Sequence, residues 1–314
     1  MNTGIASLEK NKKIKWEEIW RKKTLYLILL PGILWIIIFC YVPMAYVIVA
    51  FQKYNPLDGI FGSQFVGLQH FKDFITGYYF ERLMVNTLKI SLLKLLICFP
   101  APVIFAIFLN EVKGVVFKKV VQTCSYLPHF ISWIVVAGFL ELLLSPTTGV
   151  VNNLIVRLGG SAHYFMSDSA AFIPIVLITS FWVSFGWDSI VYLAAISGIN
   201  QELYEAATID GYGRFGKMWH ITLPGIRSLI IILLILNTAN ILNIDYGQIL
   251  AFIGNNAALY EVGDVIDTFV YRTLTETGDY SFATAVGLFK GVISMFLIIG
   301  LDKLSKKAGE EGIF

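Results

Sequence analysis

A chain of 314 residues that is 56% hydrophobic and only 15% charged is not one water-soluble domain, where roughly a quarter of residues carry charge. Its mean hydropathy of +0.70 puts it among integral membrane proteins. A net charge of +2 gives no reason to expect a nucleic-acid partner. No disulfide framework or metal motif follows from Cys40, Cys98 and Cys124, which are odd in number and set in apolar or membrane-edge sequence.

The N-terminal segment, residues 1–24, is polar and basic, with Lys10, Lys12, Lys13, Lys15, Arg21, Lys22 and Lys23. Within it, Ile14, Trp16, Ile19 and Trp20 either lay one face of a short helix on the inner membrane surface or form an aromatic flank to the first span. The apolar run that follows, 25–51, is longer than the roughly 7 to 15 residues of a signal-peptide core, so an uncleaved span is expected. Five more runs, 83–109, 126–145, 171–194, 226–244 and 284–301, reach the about 20 residues of helix that cross a hydrocarbon core. The third is the least regular, with Pro128 and Ser132 at its start and Glu141 near its end. The expected fold is all-α: six transmembrane helices in a single domain over 25–301, then a basic tail over 302–314.

Placement of the lysines and arginines sets the orientation, because cytoplasmic segments hold an excess of them. With the N-terminus inside, sixteen of the 24 fall on cytoplasmic segments, including Lys113, Lys118 and Lys119, then Arg214, Lys217 and Arg227, then Lys303, Lys306 and Lys307. Five fall outside (Lys53, Lys72, Arg82, Arg157, Arg272), and Lys89, Lys94 and Lys290 lie within spans. Both termini and the segment 201–225 are therefore expected in the cytoplasm of a multi-pass protein of the cell membrane. The outer connections 52–82, 145–170 and 245–283 are long, and the last is acidic, with Glu261, Asp264, Asp267, Glu276 and Asp279 against Arg272. That charge serves either a partner or plain solvation, and Val262, Ile266, Phe269, Val270 and Leu274 predict a surface helix there.

The stretch from Gly211 to Met218 nearly spells a phosphate-binding loop, yet Met218 stands where Ser or Thr must hold magnesium, and no strand precedes it. His70, His129, His163 and His220 lie in four separate segments, which gives neither a metal site nor a nucleophile–base pair. No catalytic function is expected.

Residues 201–225 interrupt the apolar pattern with a helix of their own. Asn200 is a good N-cap, and Gln201 to Ile209 contains no breaker before Asp210-Gly211, where glycine takes the left-handed position. So short a helix is marginal alone in water and must be held by contacts. Ala206 and Ala207 leave its backbone approachable, and Glu205 offers a carboxylate on that surface. Pro224 then opens the fifth span at a tolerated position.

Glu205-Ala206-Ala207, three residues, Gly211, nine residues, and Ile221-Thr222-Leu223-Pro224 together resemble the coupling loop of the permease subunits of bacterial ABC importers. The resemblance runs along essentially the whole chain. Leu30-Pro31-Gly32, Tyr41-Val42-Pro43-Met44, Asn86-Thr87-Leu88, Leu109-Asn110-Glu111, Tyr126 to Trp133, Ile266-Asp267-Thr268 and Ala283 to Phe289 look like the carbohydrate-type permeases, particularly those for complex polysaccharides and their oligosaccharides. Tyr212 departs from the usual alanine after the loop glycine, and Gly300-Leu301-Asp302 from a polar residue before the tail. The resemblance implies a second related permease, a cytoplasmic ATPase dimer that carries the ATP and magnesium, and an extracytoplasmic solute-binding protein as partners in the bilayer. It also implies that this chain binds no cofactor itself, and that Glu205, Ala206, Ala207, Asp210, Gly211, Ile221, Leu223 and Pro224 form the ATPase-coupling surface.

Polar groups within spans usually face a partner helix or a wet path. Asn237, Asn240 and Asn243 recur every three residues, and with Trp182, Trp187, Tyr192 and Asp188 they suit a sugar, which takes hydrogen bonds at its hydroxyls and stacks on rings. They serve equally well as interhelical glue. Lys89 and Lys290 are placed to snorkel, while Lys94 lies deeper and calls for a carboxylate or a wet cavity. The same architecture importing a peptide or amino acid is the alternative. An ion-coupled carrier would show inverted repeats and mid-membrane carboxylates on several spans, where this chain has isolated Glu141 and Asp188.

Overall fold

The computed structural model describes residues 22–254 and 256–307, and these are mostly helical. The amphipathic stretch 14–20 and the tail 308–314 lie outside the described residues. In chain order the main helices are α1 (Lys23–Phe51), α2 (Gln69–Ile75), α3 (Phe80–Asn110), α4 (Val115–Phe130), α5 (Trp133–Leu144), α6 (Val150–Arg157) and α7 (Ser169–Ser197). They continue as α8 (Gln201–Ile209), α9 (Arg214–Gly225), α10 (Arg227–Ala239), α11 (Tyr246–Ile253), α12 (Ile266–Arg272) and α13 (Tyr280–Lys307). A short antiparallel pair, β1 (Gln52–Lys53) and β2 (Gln64–Phe65), closes the loop after α1 with Gln52 opposite Phe65.

Among the described residues, four helices are each long and apolar enough to cross a membrane: α1, α3, α7 and the Tyr280–Leu304 part of α13. The run 126–145 is not one straight helix. α4 and α5 meet at a bend of 102° across Ile131-Ser132, where both residues are extended. α9 and α10 likewise meet at 60° about Ile226. Four to six crossings follow, depending on whether each bent pair counts as one. The expected helix 226–244 also stops early, at Ala239, so that Asn243 lies in an irregular segment rather than on a helical stripe.

The connection 245–283 is no mere surface loop. Its apolar residues build two helices that enter the core: Gln248, Ile249, Phe252 and Ile253 of α11 are buried, as are Ile266 and Phe269 of α12. One cluster gathers Ile90, Val136, Val176 and Ile249 from α3, α5, α7 and α11, with Leu259 from the short turn Ala257–Leu259. A second joins Phe74, Leu83, Ile266, Phe269 and Val286, and a third joins Val103, Tyr192, Ile196 and Ile226 beneath the α9–α10 bend. By contrast, α1 presents no buried side chain from Lys23 to Met44 and is anchored only through its last turns, at Val49 and Ala50.

Two of the five acids in that connection are structural. Asp264, with no exposed surface, accepts from Arg272 through both oxygens (3.2 and 2.7 Å), from Thr268 Oγ1 (2.8 Å) and from Arg82 Nη2 (3.3 Å). Burial works against the Arg272 charge, but the Asp264 carboxylate outweighs it and raises the guanidinium's pKa. Asp267 pairs with Lys290, which therefore does not snorkel. Elsewhere Asp168 caps α7: the Ala170 N–H, and after it His163, hold its carboxyl below the usual range.

α4 and α7 touch at backbone distance. A Cβ at Gly186 would sit 2.1 Å from the Ser125 carbonyl oxygen, far closer than van der Waals contact, so only glycine permits this crossing. Gly186→Ala should destabilise the folded protein by about 1–3 kcal/mol, read as an earlier thermal midpoint in detergent, whereas Gly138→Ala, with open space around it, should not. Asp264→Ala should cost about 3–5 kcal/mol by leaving two arginines facing each other; an unchanged midpoint would contradict the structural role.

Candidate functional site

The polar stretch between α7 and α10 folds as its local chemistry dictates. Asn200 Oδ1 accepts from Glu202 N (3.0 Å), which satisfies a donor at the start of α8. At the far end Gly211 adopts φ +82°, its N–H bonds Thr208 O (3.2 Å), and Tyr212 N bonds Ala207 O (2.8 Å). That paired closure is a Schellman stop, which a residue with a Cβ adopts only with strain. The helix is tethered sideways as well, because Tyr204 OH bonds Thr222 Oγ1 (2.9 Å) and Lys217 Nζ donates to Thr208 Oγ1 (2.6 Å).

Those tethers decide which face is presented. Ala207 is buried against its own chain, so the two alanines are not equivalent and only Ala206 is approachable. Glu205, Asp210 and Gly211 are exposed with it, and so are Ile209, Phe215 and Trp219. Ile221 and Leu223 are half-buried and Pro224 is exposed. Tyr212 packs its ring against His220 at 5.3 Å and stands over Gly216, so this departure from the usual alanine has an internal partner.

A cavity of about 410 Å³ opens among α3, α7, α10 and the irregular segment 240–245. Asp188, Asn237, Asn240 and Asn243 line it together, with Tyr192 beside them. Trp182 and Trp187 do not. Trp187 lies flat on His129, with centroids 4.5 Å apart and planes within 2°, and Phe130 meets it edge-on. The asparagine donors are turned to their own helix: Asn237 Nδ2 bonds Leu233 O (2.8 Å) and Asn240 Nδ2 bonds Leu236 O (3.0 Å), leaving their amide oxygens toward other partners.

The cavity's other polar residues come from places the sequence pattern did not bring together. Lys94 donates to Gln248 Oε1 (2.6 Å), an oxygen that also accepts from Ser180 Oγ (3.0 Å). Gln248 Nε2 in turn donates to Val176 O and Thr179 Oγ1, both at 2.9 Å. Trp133 Nε1 donates to Asp245, whose other oxygen caps α11 through Gly247 N (3.0 Å). A lone glutamine in the apolar octet of α11 was the available signal for this network.

A family profile described as binding-protein-dependent transport system inner membrane component matches residues 99–308. The chain belongs to that family. It is a multi-pass inner-membrane component and a non-catalytic subunit of an ABC transporter. Protein LplB of Bacillus subtilis (strain 168) is 45% identical over 98% of this chain and 96% of its own length. From the same organism, the polygalacturonan/rhamnogalacturonan transport system permease protein YteP is 42% identical over 99% of this chain and 96% of its own. A chain in the crystal structure of a bacterial alginate ABC transporter, in complex with an alginate pentasaccharide-bound periplasmic protein, superposes with a TM-score of 0.86. It is 38% identical, over 95% of this chain and 99% of that one. The family match takes in α8, α9 and most of the cavity wall, so both regions belong to the shared permease core.

Since Gln248 is the acceptor for a charge within the fold, Gln248→Leu should cost about 2–3 kcal/mol. Thr179→Val, which removes only neutral bonds, should cost about 1 kcal/mol. Thermal midpoints of the two purified variants give the comparison, and equal losses would show that the Lys94 bond adds nothing.

Proposed function

We propose that this chain is the permease subunit of an ATP-driven, binding-protein-dependent importer of oligosaccharides. The observation that carries the reading is α8: a short helix, capped at both ends and tethered by Tyr204 to Thr222, that holds Glu205 and Ala206 outward beside the bent α9–α10 pair. Each bent pair counts as one crossing, giving six, and both termini face the cytoplasm as the charge bias requires. The domain 25–301 is then flanked by a cytoplasmic segment and a cytoplasmic tail. The saccharide class is supported by the relatives, one named for polygalacturonan and rhamnogalacturonan and one seen with an alginate pentasaccharide-bound periplasmic protein.

In this mechanism a separate ATPase dimer, holding the ATP and magnesium, docks on Glu205, Ala206, Asp210 and Gly211, with the exposed Ile209, Phe215 and Trp219 supplying apolar anchors. Ala207 and Leu223 join the coupling loop to its own spans, and Ile221 and the exposed Pro224 border the docking surface. Closure of the dimer displaces α8, and the Tyr204–Thr222 bond passes the displacement to α9 and thence to α10, which lines the cavity. A second related permease completes the pathway, and a solute-binding protein delivers substrate at the other face.

Glu205→Lys reverses the charge that steers docking, and Gly211→Pro is incompatible with φ +82° and removes the N–H that closes α8. Each should leave the protein in the membrane while lowering ATPase co-purification about tenfold or more, equivalent to about 1.4 kcal/mol or above. Normal assembly and transport in either variant would refute the docking surface.

A further inference from the structure

Where α3 ends, a groove of about 380 Å³ opens between the turn 111–114 and the start of α9. Three charges line it, Glu111, Lys113 and Arg214. None of them makes an ion pair or a side-chain hydrogen bond among the described residues. Glu111 is the C-terminal cap of α3, and Arg214 is the first residue of α9. Each helix dipole disfavours the charge placed there, since a helix is negative at its C-terminal end and positive at its N-terminal end. Helix energetics therefore account for neither residue, and the two do not neutralise each other across the groove. The floor between them is apolar, built by Phe108, Val112 and Met218.

The surroundings decide what kind of molecule fits. α3 is long and apolar enough to cross a bilayer, and its last turn leaves Phe108 more than half exposed. Just beyond Lys113, α4 opens on Val115, Val116 and Phe117, each also more than half exposed, with Lys118 and Lys119 following. Exposed apolar side chains interleaved with lysines suit the boundary between hydrocarbon and headgroups, and basic pockets at that boundary take lipid headgroups. A purely anionic headgroup would satisfy Lys113 and Arg214 but confront Glu111. One that carries a phosphate and a primary ammonium answers all three charges: the phosphate meets the two cations, and the ammonium's N–H donors meet the carboxylate in charge-assisted bonds. Its acyl chains then leave over Phe108 and the first turn of α4. A choline headgroup has the same two charges but no N–H to donate.

We propose that Glu111, Lys113 and Arg214 form a binding site for one phosphatidylethanolamine molecule, in the cytoplasmic leaflet by the orientation proposed above. The site is independent of which solute is imported. The groove also reaches Phe215, so the bound lipid lies beside the surface on which the ATPase docks and ties that surface to the composition of the bilayer.

The test uses the whole complex, purified with its second permease and ATPase and stripped of lipid in detergent. It is titrated with phosphatidylethanolamine, its mono- and dimethylated forms, phosphatidylcholine and phosphatidylglycerol, all with identical chains, and bound lipid is counted by native mass spectrometry. Wild type should hold one phosphatidylethanolamine per copy of this chain, about tenfold more tightly than phosphatidylcholine, the scale of a charge-assisted bond. Glu111→Gln should bring that ratio close to one while phosphatidylcholine binding stays as it was. Lys113→Ala combined with Arg214→Ala should weaken every one of these lipids severalfold. Co-purification of the subunits and an unchanged thermal midpoint establish that each variant has folded. Equal wild-type affinity for the ethanolamine and choline lipids overturns the site, as does a preference for phosphatidylglycerol or one that survives Glu111→Gln. Loss of ATPase co-purification in the double variant, with lipid binding unchanged, makes the groove a protein contact and overturns it as well.

Discussion

Gln248 is the interaction on which the middle of the molecule depends. With no exposed surface, it uses its whole amide: the oxygen accepts from Lys94 and Ser180, and the nitrogen donates to Val176 and Thr179. Within a membrane such groups have no water to turn to, so a glutamine with all four bonds made holds its helices in one register. Three elements meet at this side chain. α3 contributes the charge, α7 the hydroxyls and a carbonyl, and α11 the amide itself. Since α11 comes from the connection 245–283, a stretch that hydropathy alone leaves outside the membrane braces Lys94 and Ser180 of the cavity wall from behind.

A second principle recurs where helices are interrupted. Irregular backbone at membrane depth is tolerated where it is buried in protein or lines a cavity, and the segment 240–245 meets that condition. Asp267 accepts from Ile244 N (3.3 Å) and pairs with Lys290. Asn243 Nδ2 bonds Asn240 Oδ1 (3.1 Å), and Asp245 is held by Trp133. The end of α10 is thus fixed by groups from α5, α12 and α13, and the asparagines line the cavity without depending on a continuous helix to aim them.

Local chemistry made part of this legible in the amino-acid sequence. The long apolar runs located α1, α3, α7 and α13, and Asn200 and Gly211 marked the ends of α8, because a cap is decided within four or five residues. Direction was not legible: hydropathy is the same for a straight run and for one bent at Ile131-Ser132 or at Ile226. Nor were distant partners. Asp264 and Asp267 look like solvated acids until Arg82 and Lys290, far along the chain, are brought beside them, and nothing in the pattern says that His129 stacks on one face of Trp187. Among the cavity residues, Asp188 and the asparagines were found because a polar residue stands out in an apolar helix. Gln248 stood out equally but sat in a segment counted as a loop. At α8, pattern alone treated Ala206 and Ala207 as a pair, whereas a tether to Thr222 turns one inward.

The contact at Gly186 bears on how such a molecule moves. Two helices touching through a glycine and a main-chain carbonyl have no side-chain layer between them to deform, so displacement of one is displacement of both. α4 and α7 therefore behave as a single strut. Compliance has to reside elsewhere along the chain, and the corners at Ile131-Ser132 and Ile226 are where the helices already break. Under the coupling proposed for α8, a stroke applied there would turn those corners and leave the strut unchanged in length and pairing.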